Sequence, residues 1–156
     1  MNIAEPAAEG RGFIVFIGLM GAGKTKIGKR VARSLSMPFI DSDAEIEAAA
    51  GCPVSEIFER FGEAYFRDGE RRVIARLLSG EPAVLATGGG AFMNAETRAL
   101  IHQRAISVWL KASVDILVER TSGRDTRPLL KTGNPVEILE KLAAERYPVY
   151  GLADIH

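Results

Sequence analysis

Cysteine, histidine, net charge and long apolar runs are all scarce in this chain, and each scarcity removes a class of function. Cys52 is the only cysteine among 156 residues. No internal disulfide can form, a reducing cytoplasm suits the chain, and Cys52 reads as a small buried hydrophobe. The two histidines lie far apart, which argues against a zinc site. Twenty basic residues balance twenty acidic ones, so no basic excess points to nucleic acid or an anionic membrane. No apolar run approaches the ~20 residues of a membrane-spanning helix. Residues 1–12 are small and acidic and lack the apolar centre of a signal peptide. They read as a disordered leader ahead of one domain, residues 13–156. With 47% hydrophobic and 26% charged residues, that domain has enough apolar chain for a real core.

Against these absences stands one strong motif. Gly18 to Thr25 reads Gly-Leu-Met-Gly-Ala-Gly-Lys-Thr, the phosphate-binding loop pattern. Backbone N–H groups must approach a phosphate tail closely there, and Gly18, Gly21 and Gly23 leave room for that. Lys24 supplies a charge to the β- and γ-phosphates, and Thr25 a hydroxyl to Mg²⁺. The context agrees. Phe13-Ile14-Val15-Phe16-Ile17 is a continuous apolar run, as a buried parallel strand requires. Ile27, Val31 and Leu35 follow at helical spacing, so an amphipathic helix starts at the loop.

Farther along, short apolar runs alternate with helical patterns. Phe39-Ile40 ends in Asp41-Ser42-Asp43, before a helix over about 44–50. Val54 to Phe61 suggests a short helix, and Gly62-Glu63 opens a longer one to about Leu78. Ala83 to Ala86 is strand-like and runs into Thr87-Gly88-Gly89-Gly90. A helix over 95–103 leads to a strand at 106–110, and residues 114–120 are helical. Residues 122–135 are polar, without periodicity, and read as a mobile loop. A last helix is expected over about 136–146. This alternation implies an α/β fold, a doubly wound parallel sheet flanked by helices.

Several residues have the chemistry to complete a site. Asp41 and Asp43 stand at the strand edge where α/β proteins bind ligands. One is suited to the Mg²⁺ water shell, the other to a substrate hydroxyl as base; a solvated turn with Asp43 capping the next helix is the plain alternative. Arg67 precedes Glu70 and Arg71 by one turn, which also fits ordinary surface pairing. Three glycines after a strand offer backbone that a ligand can approach, or simply a flexible turn. Arg124 and Arg127 lie in the polar loop, where an arginine can close on phosphates. Arg146 ends the last helical pattern and could do no more than favour a helix C-terminus.

In unbroken order from about Phe13 to Ala153, these pieces resemble the shikimate kinase family. The resemblance is carried by the phosphate loop, Asp41-Ser42-Asp43, Glu56-Ile57-Phe58, Gly62-Glu63, Phe66-Arg67 and Glu70. Gly88-Gly89-Gly90, Arg127-Pro128-Leu129-Leu130 and Arg146-Tyr147-Pro148-Val149-Tyr150 complete it. It implies a P-loop kinase that uses ATP and Mg²⁺ to phosphorylate the 3-hydroxyl of shikimate in chorismate and aromatic amino-acid synthesis. The ATP loop would be Gly21, Ala22, Gly23, Lys24, Thr25 and Lys26. Thr25 would ligate Mg²⁺, with Asp41 nearby. Asp43 would contact substrate hydroxyls and act as base. Arg67 and Arg146 would hold the substrate carboxylate, Gly89 would add a backbone contact, and Arg127 would close over ATP from a lid at about 123–134. Arginine forks suit a carboxylate, and an aspartate suits vicinal hydroxyls.

The chain departs from the family pattern twice. Lys26 replaces a small hydroxyl residue outside the Mg²⁺ position. The sequence also stops at Asp154-Ile155-His156, where family members continue into a fifth strand, an adenine-contacting loop and a last helix. Four strands and a bare sheet edge are therefore expected. Other small-molecule P-loop kinases, acting on gluconate or nucleoside monophosphates, share the loop, and a non-catalytic nucleotide-binding remnant is a further alternative. A GTPase switch does not fit, because Asn-Lys-x-Asp and Asp-x-x-Gly are both absent.

Overall fold

Strand β1 (Phe13–Ile17) is apolar throughout because both of its faces are covered. The computed structural model describes residues 11–121 and 134–156. The other strands are β2 (Phe39–Asp41), β3 (Val84–Ala86) and β4 (Ala105–Trp109). The helices are α1 (Lys24–Ser34), α2 (Ser42–Ala50), α3 (Val54–Leu78), α4 (Ala95–Arg104), α5 (Val114–Thr121) and α6 (Pro135–Tyr150), with a 3-10 turn at Ala91–Met93. All pairings are parallel, in the order β2-β3-β1-β4.

Alternation along the strands divides the core. Phe13, Val15 and Ile17 join Leu85, Ile74 and Leu78 of α3, Ile101 of α4, Leu117 of α5, and Leu139 and Tyr150 of α6. Ile14 and Phe16 face the other way, onto Val31 and Ala32 of α1. One-residue alternation thus sorts consecutive side chains onto opposite faces, each covered by helices. A smaller cluster joins Ile46 of α2 to Ile57 and Phe66 of α3, with Cys52 packed against it, partly rather than fully buried. Among the described residues, no helix is long and apolar enough to cross a membrane.

Some boundaries differ from expectation. The two helices expected around Gly62 are both present within the span α3: Gly62 takes φ 83° and ψ 173°, outside helical geometry, and separates them. Helix α2 starts at Ser42, and its cap is Asp41 rather than Asp43: Asp41 Oδ1 accepts from Asp43 N at 2.9 Å. Helix α6 continues past Arg146 to Tyr150, through Pro148.

The outer edge of β4 is not bare. Ile155 bridges Val108 in parallel. Its N–H donates to Ser107 O at 3.0 Å, and Trp109 N–H donates to Ile155 O at 2.8 Å. Asp154 anchors this tail: its Oδ2 accepts from Ser107 N at 2.9 Å, Ser107 Oγ at 3.1 Å and the Arg11 guanidinium at 2.5 Å.

The two strands at the centre of the sheet, β1 and β3, carry the chemistry-bearing loops at their carboxyl ends. From β1 the chain crosses to β2 on one side; from β3 it crosses to β4 on the other. The crevice at such a reversal is where open α/β sheets bind ligands.

Candidate active site

The turn after β1 positions the phosphate loop. Gly21 has φ 85° and Gly23 φ 97°, a left-handed region costly for residues with a Cβ. Gly23 is the cap of α1 and provides no side chain to occupy the helix N-terminus. The first N–H groups of α1 therefore remain directed at the loop, where the helix dipole favours an anion. Lys24 Nζ lies back across the loop, donating to Gly18 O at 2.5 Å and Leu19 O at 3.2 Å. Ala22 is buried, whereas Thr25 and Lys26 are exposed in the first turn. Arg120 of α5 braces the loop from outside, its Nη1 donating to Gly21 O at 3.1 Å and Ala22 O at 3.4 Å.

The glycine strip after β3 gathers the remaining candidates, one glycine at a time. A Cβ placed on Gly88 would stand 3.0 Å from Asp43 Oδ1 and 3.2 Å from Glu70 Oε2. On Gly89 it would stand 2.9 Å from Arg146 Nη1 and 3.5 Å from Gly18 O of the phosphate loop. On Gly90 it would meet the Arg67 guanidinium at 2.4 Å. The strip is a packed surface against which two carboxylates and two guanidiniums lie, so the flexible-turn alternative does not describe it. Thr87 fixes its root, donating through Oγ1 to Phe16 O at 3.0 Å.

Arg67 and Glu70 are not the surface pair that their spacing allows. Arg67 Nη1 meets Glu70 Oε1 at 3.0 Å, and the Glu70 side chain is only 4% exposed. Arg67 also reaches Glu63 at 3.5 Å and stacks over Phe66, 5.1 Å from the ring centroid. Arg71 with Asp68, at 2.8 Å, and Arg72 with Asp68, at 3.1 Å, are pairs of that exposed kind. Burial pushes the Glu70 carboxyl above its ordinary range; Arg67 opposes this through charge and hydrogen bonding, while the Asp43 charge adds to it. Arg146 is buried at 7% exposure within α6, one turn before Tyr150. Burial drives the Tyr150 hydroxyl up to about 12 despite the nearby Arg146 charge.

The structure thus brings Asp43, Arg67, Gly89 and Arg146 to one strip beside Gly18, and places Gly21 through Lys26 on the adjoining loop. Arg127, Arg124 and the expected lid lie outside the described residues, apart from Asn134, which caps α6 through Oδ1 at 2.9 Å from Val136 N. Asp41 is half-buried at the end of β2. Among the described residues, no three His, Cys, Asp or Glu side chains converge as a metal cage. The hydroxyl of Thr25 and carboxylate of Asp41 are sparse, hard oxygen donors. That set fits Mg²⁺, which takes one or two protein oxygens and completes its shell with phosphates and water.

Sequence reasoning gave no site role to Glu70, Arg120 or Tyr150. Arg120 is 99 residues from Gly21, and no local pattern relates them. Tyr150 had a signal in its i,i+4 spacing from Arg146, legible only once the helix is known to extend that far.

A parallel sheet with a phosphate loop on a central strand, and an arginine- and carboxylate-lined strip on the strand beside it, defines a P-loop kinase. The shikimate kinase family model matches residues 20–156, and the chain belongs to that family. It is 59% identical over 143 residues to a shikimate kinase of Caulobacter vibrioides, covering 92% of this chain and 72% of that protein. It is 58% identical over 142 residues to one of Mesorhizobium japonicum, covering 91% and 70%. The solved structure of Acinetobacter baumannii shikimate kinase in complex with shikimate superposes with a TM-score of 0.90 at 41% identity, covering 96% of this chain and 84% of that one.

Proposed function

We propose that this chain transfers the γ-phosphoryl group of ATP to the 3-hydroxyl of shikimate, giving shikimate 3-phosphate and ADP for aromatic amino-acid synthesis. The observation that carries this reading is the position of Gly89. A Cβ built on it would lie 2.9 Å from Arg146 Nη1 and 3.5 Å from Gly18 O of the phosphate loop, so a carboxylate-reading guanidinium and the nucleotide loop border the same space.

The ATP phosphates lie along Gly21, Ala22, Gly23, Lys24, Thr25 and Lys26, met by backbone N–H groups and the Lys24 ammonium. Arg67 and Arg146 grip the shikimate carboxylate, and Gly89 supports it through its backbone. This directs the hydroxyl end of the ring toward Asp43. The 3-hydroxyl oxygen attacks the γ-phosphorus as the bond to the β-phosphate oxygen breaks; the hydroxyl proton passes to Asp43 and ADP leaves. Thr25 would hold Mg²⁺, with Asp41 nearby, and the bound ion would supply charge neutralisation at the phosphates. Arg127 carries over from the family resemblance as a further cation for the phosphates. The protein acts as a cytoplasmic monomer on small molecules.

A coupled ADP-release assay tests this with ATP and, in turn, shikimate, gluconate and a nucleoside monophosphate. Turnover is expected with shikimate alone. Lys24→Ala should lower it by about a hundred- to a thousandfold while the protein stays folded, because a preorganised charge on the transferring group is lost. Faster turnover with gluconate or a nucleotide would overturn the substrate assignment.

A further inference from the structure

The end of α6 presents two buried polar side chains to a single glycine. Arg146 and Tyr150 are one helical turn apart, at 7% and 0% exposure. A Cβ on Gly89 would lie 2.9 Å from Arg146 Nη1 and 3.7 Å from Tyr150 Oη. The Tyr150 hydroxyl donates to the Gly89 carbonyl, and the Arg146 charge lies close enough to favour its ionised form. Its ring is locked in the main core, 5.8 Å from that of Trp109. A hydroxyl on a fixed ring is a rigid post, whereas Arg146 and a glycine peptide are intrinsically free to move.

We infer that Tyr150 is a positioning residue for substrate binding: its hydroxyl ties the Gly89 peptide to Arg146 and holds both at the spacing that the substrate carboxylate needs. This rests on the substrate reading above. Tyr150 does not touch the reacting atoms; it acts through its two partners. Without the hydroxyl, the Gly89 carbonyl loses a buried donor and Arg146 loses a fixed neighbour. The carboxylate end of the substrate should then be held less well, with the nucleotide loop little affected.

The test is Tyr150→Phe, which keeps the ring in the core. Tyr147→Phe is the control. It also removes one hydroxyl hydrogen bond from α6, but that bond goes to Ala112 O at 3.0 Å, away from the glycine strip. Tyr150→Phe should raise the shikimate KM and the calorimetric shikimate Kd by about five- to tenfold, the worth of one buried hydrogen bond. The ATP KM should stay unchanged, and kcat should fall by less than the shikimate KM rises. Tyr147→Phe should lower the melting temperature comparably and leave the shikimate KM alone. Combining Tyr150→Phe with Arg146→Lys should cost less than the sum of the two single losses, because they disable the same unit. If the parent protein binds shikimate and Tyr150→Phe binds it equally well, or if the losses simply add, Tyr150 is only a core residue. A parent protein that does not bind shikimate overturns the substrate reading, and this inference with it.

Discussion

The Arg67 guanidinium lies directly against the backbone of Gly90, so close that a methyl group there would stand 2.4 Å from Cζ and from both terminal nitrogens. Glycine at this position is therefore a requirement of the arginine's placement. Gly90 takes an ordinary φ of −92°, so its backbone does not demand glycine. Gly90→Ala should leave the fold intact, because the obstructed group is the end of a long side chain that can swing away. The displaced guanidinium should then cost about ten- to a hundredfold in kcat/KM for shikimate. Circular dichroism and steady-state kinetics check both halves; unchanged kinetics would show that Arg67 has no fixed role.

Arg67→Lys should weaken shikimate binding by about 1.5–3 kcal/mol, the worth of a charge-assisted bond at a partly desolvated site. An ammonium cannot match the guanidinium's fork, nor its stacking on Phe66. Titrations with shikimate and with ATP separate the effects. A loss confined to ATP would place Arg67 on the other substrate.

Glu70 should trade stability for function. Burial raises its carboxyl above the ordinary 4.5, so the folded state holds the proton more tightly than the unfolded chain. Its contribution to stability is complete below pH 4.5 and is lost as pH rises through the raised folded value. Glu70→Gln removes that loss. The variant's melting temperature should improve relative to the parent as pH rises above 4.5. Its shikimate KM should rise, because Arg67 loses its charged partner. A melting difference independent of pH would contradict the sign.

Asp154 works in the opposite sense. Burial pushes its carboxyl up, but hydrogen bonds from Ser107 and Arg11 together outweigh this and hold it below the ordinary 3.8. Its stabilisation is present above pH 3.8 and fades as pH falls through the lower folded value. Asp154→Asn should cost about 1–2 kcal/mol at neutral pH, the loss of charge-assisted bonds, and release the Ile155 pairing with β4. Urea unfolding at neutral and acid pH checks this, with parent and variant expected to converge in acid. A constant gap would mean that the carboxylate's charge is irrelevant.

The phosphate loop, the parallel sheet and the kinase family were legible in the amino-acid order, because each rests on local chemistry. Three glycines, a lysine and a threonine at fixed spacing between an apolar run and an amphipathic helix leave few other structures. The apolar runs before Gly18 and Thr87 were legible as strands because burial on both faces removes polar residues. Tertiary structure decided what separate segments do to one another. Spacing alone could not distinguish Arg67–Glu70 from a solvated helix pair; packing of α3 against the strip leaves Glu70 buried and Arg67 over Gly90. Arg146 read as the end of a helix, yet α6 runs on through Pro148 and delivers Arg146 and Tyr150 together to Gly89. Ile155 had no strand pattern, but the open edge of β4 supplied the hydrogen bonds that its backbone required. In each case the deciding contact joins residues distant along the chain, and only the folded sheet brings them within reach.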